Sequence, residues 1–202
     1  MAAAQKTIAI RAVRAYRTVS HMGTTTLAGI PPIHLLTRSY AETYEAVSRV
    51  REALGEVPPR NRRELKLRSK ETLLRSWKED LADPRHLWRR RVIEAIQPVL
   101  EKWVEGIKKR NLAFHAVQVI TGHGCFGKYL HRIGKERTTR CHHCPEGADT
   151  AQHTLEDCPA WDEERRALRA EIGEDLSLLA VIATTVQAGK RRRENWRSFA
   201  SF

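Results

Sequence analysis

Residues 141–158 read CHHCPEGADTAQHTLEDC, with Cys141, Cys144, His153 and Cys158 at a C-x2-C-x8-H-x4-C spacing. Two cysteines separated by two residues wrap one tetrahedral ion through a tight turn. A later histidine and cysteine then complete the three-sulfur, one-nitrogen set that structural zinc favours. Gly147 allows the turn after the first pair, and Pro159 suits the first turn of a helix after the last ligand. His142 and His143 are rivals for the nitrogen position. A ligand inside the first pair would strain the loop, so both are read as neighbours of the site or surface groups. Three of the chain's four cysteines occupy this window, so a chance grouping or a reduced core of thiols is the weaker reading. Four protein ligands leave no open position for water, so a catalytic zinc is not expected.

With 202 residues and 41% apolar content, the chain suffices for one medium domain or two small ones. It has no run of roughly eighteen apolar residues, so no membrane span is expected. The opening MAAAQKTIAIRAVRAY is too interrupted by charge for a secretory signal. Clustered cysteines plus a lone Cys125 argue against a disulfide framework and for a reducing, intracellular compartment. The net charge of +12 attracts polyanions, of which nucleic acid is the commonest inside a cell.

That charge is uneven. From Arg60 to Arg91 there are 12 basic and 5 acidic residues, a net of +7. Between Cys141 and Ala160 there is no Lys or Arg, against four acids, Glu146, Asp149, Glu156 and Asp157. Bound thiolates would deepen that negative field, so the knuckle itself is a poor phosphate clamp. Lys128, Arg132, Lys135, Arg137 and Arg140 come directly before it, offset by Glu136 alone. These five are the expected contacts to a nucleic-acid backbone.

Apolar spacing predicts a helix over 3–20, then a small apolar turn, TTTLAGI, stopped by Pro31-Pro32. A second helix over 32–54 places Ile33, Leu36, Tyr40, Tyr44, Val47, Val50 and Leu54 on a buried stripe. A third over 61–81 presents Leu65, Leu73, Leu74, Trp77 and Leu81. Residues 85–96 supply Leu87, Trp88, Val92, Ile93 and Ile96, after which Pro98 kinks or restarts the helix toward Trp103 and Ile107. Trp77, Trp88 and Trp103 read as packing anchors, with nucleotide stacking as the minority reading.

A helix over 111–120 ends in TGHGCFGKYLHRIG, with Phe126, Tyr129, Leu130 and Ile133 looking inward and Cys125 as a small buried thiol. GHG is expected to be a capped turn packing beside the zinc unit, since no phosphate-loop pattern accompanies it. His123 has no carboxylate or nucleophile constellation in sequence to make it a general base. After the knuckle come a charged helix ending at Gly173 and a buried one around Leu176 to Val186. KRRRENW then turns basic before Trp196, Phe199 and Phe202, as a solvated helix start, a nuclear-import patch or an RNA contact. The helical period still runs where the chain stops, so an interrupted sequence is expected. Period-two alternation is scarce. The fold class expected is mainly α, a helical array with a small Cys-Cys-His-Cys zinc knuckle and at most a tiny hairpin.

In order, RAVRAYRTVS, LAGIPPIHLL, TGHGCFGKYLHRIG and CHHCPEGADTAQHTLEDCPAWDEERR resemble the C-terminal part of the pol protein of arthropod non-LTR retrotransposons. The resemblance is to the site-specific ribosomal-DNA type and its jockey-like relatives, and it runs along nearly the whole chain. In that family an endonuclease nicks target DNA and a reverse transcriptase, an RNA-directed DNA polymerase, primes cDNA synthesis on the nick. The resemblance implies that residues 1–59 are a thumb-like helical segment and 60–135 a basic helical linker. Residues 136–162 would be the zinc knuckle, and 163–202 C-terminal helices that are cut short. The family's ligands carry over onto Cys141, Cys144, His153 and Cys158, and its GHG turn onto Gly122, His123 and Gly124. Its polymerase aspartates and endonuclease residues have no counterpart here, so this segment is not expected to catalyse a reaction.

The leading expectation is therefore a zinc-bearing accessory segment that holds RNA and/or DNA, works with other parts of the same retrotransposon protein, and resides in the nucleus. The competing one is a zinc-stabilised structural or protein-interaction module.

Overall fold

Three alanines open the chain, the best helix formers there are, and helix α1 spans Ala2–Val13. It ends at Arg14, whose left-handed backbone (φ 56°) breaks the hydrogen-bond ladder. The continuous helix expected over 3–20 is thereby divided. Helix α2 (His21–Ala28) starts anew at Ser20, whose side chain accepts from the Gly23 N–H at 3.1 Å. TTTLAGI is not the turn that was expected, because its threonines are the body of α2. Thr24 and Thr25 hydroxyls donate back to the Ser20, His21 and Met22 carbonyls, so both side chains are buried with their hydrogen bonds made. Gln5 stitches the pair to the next segment. Its amide donates to Pro31 O at 2.8 Å and its oxygen accepts from Ile33 N at 3.0 Å.

The computed structural model describes residues 1–84, 90–106, 112–145 and 147–187. Leu87, Trp88, Ile107, Glu146 and the basic-aromatic tail from Lys190 lie outside the described residues.

Helices α3 (Ile33–Leu54) and α4 (Pro59–Ala82) form a long antiparallel pair, punctuated by Gly55 and Pro58-Pro59. Small residues make the seam: Ser39 Oγ lies 2.9 Å from Ser69 Oγ, and Thr43 donates to the same oxygen at 2.8 Å. Seating Ser39 and Thr43 on α4 turns the next positions about 100° away. Tyr40 and Tyr44 are consequently 71% and 74% exposed, and Leu54 is exposed too. The buried stripe expected through these residues is corrected: only Leu35 of α3 is fully buried. On α4 the buried residues are Leu74, Trp77 and Leu81, all in its final turns.

Those turns dock on helices α5 (Arg91–Ile96) and α6 (Leu100–Gly106), joined by a 3-10 turn at Gln97–Val99 where Pro98 interrupts the α ladder. Trp77 and Trp103 are fully buried packing anchors, and Trp103 Nε1 donates to Leu27 O at 3.2 Å. Helix α7 (Phe114–Thr121) adds Ala116, Val117 and Ile120 to this core, and helix α8 (Gly127–Arg132) follows the GHG turn. The last described helices are α9 (Ala151–Glu156), α10 (Asp162–Ile172) and α11 (Leu178–Gln187), whose Leu155, Leu168 and Ile182 close the same core. Two inward assignments are corrected here. Ile133 is 41% exposed, because α8 ends at Arg132, and Cys125 is exposed within the turn before α8.

The regular structure of the described residues is all helical, with no sheet; one isolated antiparallel bridge, Arg140 to Ala148, crosses the knuckle loop. No described helix is long and apolar enough to cross a membrane.

Candidate metal centre

The four expected ligands converge. Ligand atoms of Cys141, Cys144, His153 and Cys158 lie within 4.8 Å of one another. Metal–sulfur bonds of about 2.3 Å in a tetrahedron give sulfur–sulfur edges of about 3.8 Å and sulfur–nitrogen edges of about 3.6 Å. Cys141 Sγ and Cys158 Sγ are 3.8 Å apart, and Cys144 Sγ and His153 Nε2 are 3.3 Å apart. The sulfur pair is far too distant for a disulfide. Donor set and spacing together fit zinc in a closed, four-ligand site.

Each ligand is placed by a local device. Gly147 turns the chain with φ 74° between the two halves of the site. Thr150 caps α9 by accepting from His153 N at 3.0 Å, which sets the imidazole one turn into the helix. Its Nδ1 faces Asp157 Oδ2 at 3.9 Å, beyond hydrogen-bond reach, so that carboxylate is a neighbouring charge on the solvent side of the ring. Cys158 N–H donates to His153 O at 2.8 Å, so the third and fourth ligands share one backbone bond. The His143 N–H points at Cys141 Sγ at 3.4 Å, while His142 and His143 side chains are exposed, as expected of groups outside the ligand set.

Burial, and then the neighbouring Cys141 and Cys144 sulfurs, pushes the Cys158 thiol up to about 11 against a backbone hydrogen bond from Ala160. A divalent cation reverses that balance, because a coordinating thiol is deprotonated outright. Without a cation Cys158 is therefore a neutral thiol, and binding a metal there expels its proton.

Three residues that the sequence reading passed over hold this unit in place. Arg165 is buried, and its guanidinium donates to the Thr154 and Cys158 carbonyls and to Asp162, clamping the exit of α9 to α10. Asp149 is buried as well. Its Oδ2 accepts from Gly127 N at 2.8 Å, its carbonyl from Lys128 N at 2.9 Å, and its own N–H donates to Thr139 O at 2.7 Å. The contact is so close that a Cβ on Gly127 would sit 3.1 Å from both the Arg140 carbonyl and Asp149 Cβ. Arg91 reaches across from α5, donating from Nε to Val119 O and from Nη1 to Gln152 Oε1 at 2.7 Å. In sequence, Arg165 sat in a charged DEERR run and Asp149 was one acid among four; only their distant partners distinguish them.

The GHG turn packs beside this unit. Gly122 ends α7 in the left-handed region, and buried His123 has Nδ1 2.8 Å from Thr18 Oγ1, which is 2.9 Å from the Tyr129 hydroxyl. Arg132 Nη2 approaches His123 Nε2 at 3.4 Å. A guanidinium only donates, so Nε2 is the acceptor in this contact.

Lys128 and Arg132 lie on α8, Lys135 and Arg137 on the turn after it, and Arg140 at the bridge into the first ligand; all five are exposed. Among the described residues no carboxylate forms an ion pair with any of them, and Glu136 instead faces His142 at 3.7 Å. Lys128 and Arg132 also line a cavity of about 530 Å³, to which Lys135, Arg137 and Arg140 do not contribute.

No protein-family model matches this chain, and no solved structure matches it. It is similar to a Retrovirus-related Pol polyprotein from type-1 retrotransposable element R1 of Popillia japonica, 28% identical over 133 residues. The match covers 66% of this chain and 50% of that protein, so the aligned stretch spans half the length of its relative. This is a weak, partial likeness, consistent with a distant relationship to a retrotransposon Pol protein.

Proposed function

We propose that the chain is the C-terminal nucleic-acid-binding zinc-knuckle segment of a retrotransposon reverse transcriptase, acting in target-primed reverse transcription. The carrying observation is the set of five exposed cations, Lys128, Arg132, Lys135, Arg137 and Arg140, beside the metal cluster with no carboxylate neutralising them among the described residues. Free cations on a segment pinned by a buried metal suit phosphate contacts, which position a strand without reading it. On this reading residues 1–59 continue a polymerase thumb, 60–135 form the basic linker, 136–162 the knuckle and 163–202 the trailing helices. The polymerase and endonuclease chemistry belongs to the parent protein, and a nuclear location follows from work on genomic DNA. The partial likeness to an R1 Pol polyprotein supports the placement.

Binding of labelled RNA and DNA across a salt series tests the proposal. Affinity should fall steeply with salt, and replacing all five cations by Gln should flatten the slope while zinc content stays intact. Dissociation constants weaker than about 10⁻⁴ M at low salt would sink it.

A second reading is favoured by one observation. Around the cluster itself Asp157 is exposed and Glu156 half-buried, with no Lys or Arg among residues 141–160, which suits a protein partner rather than a phosphate. In that case zinc pins helices for a structural or protein-interaction role, and the Gln variant binds nucleic acid as the parent does.

A further inference from the structure

The cavity of about 530 Å³ lies between α8 and the start of α9, within the roughly 300–1,000 Å³ usual for ligand pockets. Its walls are of two kinds. Phe126, Tyr129 and Ala151 are buried apolar surface, and Arg91, Lys128 and Arg132 are permanent cations. No Asp or Glu lines it.

Arg91 is the unusual member. Two of its nitrogens are committed to Val119 O and Gln152 Oε1, while its Nη2 is buried without a hydrogen-bond partner. Burial draws the guanidinium down to about 10, with Glu156 opposing, so it remains charged at neutral pH. A buried guanidinium with an unused donor is a ready partner for an anionic oxygen. Gly122, with φ 66°, turns the chain beside it, and a Cβ there would be in ordinary contact with Arg91 Cδ at 3.4 Å. Arg91, Gly122 and Arg132 also border an adjoining cavity of about 200 Å³, so the cationic side of the cleft extends toward His123. Arg132 in turn lies over the Tyr129 ring, 5.2 Å from its centroid, joining the charged and aromatic walls.

We infer that this cleft takes one unpaired nucleotide of a single strand, its phosphate held by Arg91, Arg132 and Lys128 and its base laid on the Phe126–Tyr129 wall. The inference deepens the nucleic-acid reading above and rests on it. A free inorganic anion would leave the apolar wall unused, and a base inside a duplex is stacked on its neighbours and cannot reach into the cleft. An unpaired base satisfies both walls and needs no particular sequence, because every base has a π face.

The test measures fluorescence anisotropy of the zinc-loaded chain with a short labelled single strand and with the blunt duplex of the same sequence. The parent should favour the single strand by about tenfold, the scale of one stacked base. Arg91→Gln should erase that preference. Thr139→Trp, which adds bulk to the cleft lining and leaves all its cations in place, should erase it while leaving duplex affinity unchanged. Zinc content and helical circular dichroism equal to the parent's qualify each variant, and Thr139→Trp carries the test if Arg91→Gln fails to fold. A parent that binds both forms equally, or a preference that survives in the folded variants, overturns the cleft inference and leaves the five-cation reading standing. A parent that binds neither form takes both down together.

Discussion

The α3–α4 hairpin and the knuckle solve the same problem, how to order a charged stretch of chain, by opposite means. The hairpin relies on length. Its helices run 22 and 24 residues, yet α3 has a single fully buried side chain and α4 keeps its three in the end that meets α5 and α6. The knuckle has helices of only six residues at α8 and α9, too short to stand alone. It holds them with a four-ligand cluster, a buried arginine, a buried aspartate and a glycine contact. One region spreads weak order over many residues; the other concentrates it in a few groups whose loss is not shared.

The sharpest way to break this contrast is to remove the metal. Cys144→Ser, or chelation of the parent, should collapse hydrogen-exchange protection across 136–162 while leaving the α3–α4 pair intact. Structural zinc binding is worth about 10–16 kcal/mol, far more than a six-residue helix supplies itself. Unchanged metal content in the variant would refute the ligand assignment.

Next in size is Trp77→Ala, at the docked end of the hairpin, which should cost about 3–5 kcal/mol in urea unfolding because its ring is wholly buried. Arg165→Met should follow at about 2–4 kcal/mol in the zinc-loaded protein, since the Thr154 and Cys158 carbonyls lose their donor inside the fold. If it costs less than Tyr44→Ala, the knuckle does not concentrate its stability as argued.

A pH series separates the regions in another way. Because the Cys158 thiol is held protonated, raised to about 11, zinc must displace protons to bind. Affinity should therefore fall as pH falls, by about tenfold per unit for each proton displaced. Exchange protection in the middle of α3 should show no such dependence. The smallest effect belongs to the hairpin's exposed face: Tyr40→Ala and Tyr44→Ala should each stay within about 0.5 kcal/mol of the parent.

What could be read from the sequence follows the reach of each signal. The ligand set was legible because a zinc site written within 18 residues is a local pattern with its own turn residues. The ends of α3 and α4 were legible for the same reason, marked by Gly55 and Pro58-Pro59. Helical character throughout followed from apolar spacing. The misreadings arise where a neighbour decides. Arg14 breaks α1 in a conformation its residue type does not announce. The apolar stripe of α3 and its seam of small residues are offset, and α4 selected the small ones, leaving two tyrosines outside. Arg91, Asp149 and Arg165 earn their roles from partners that composition cannot supply.

Gly127 carries a consequence for inheritance. With the Arg140 carbonyl and Asp149 Cβ each 3.1 Å from where a methyl group would stand, a side chain there obliges the loop entering Cys141 to give by a few tenths of an ångström against α8. Sequences that retain all four ligands should thus favour glycine at this position. Among related sequences, changes at 127 should concentrate where one or more of the four ligands has been lost.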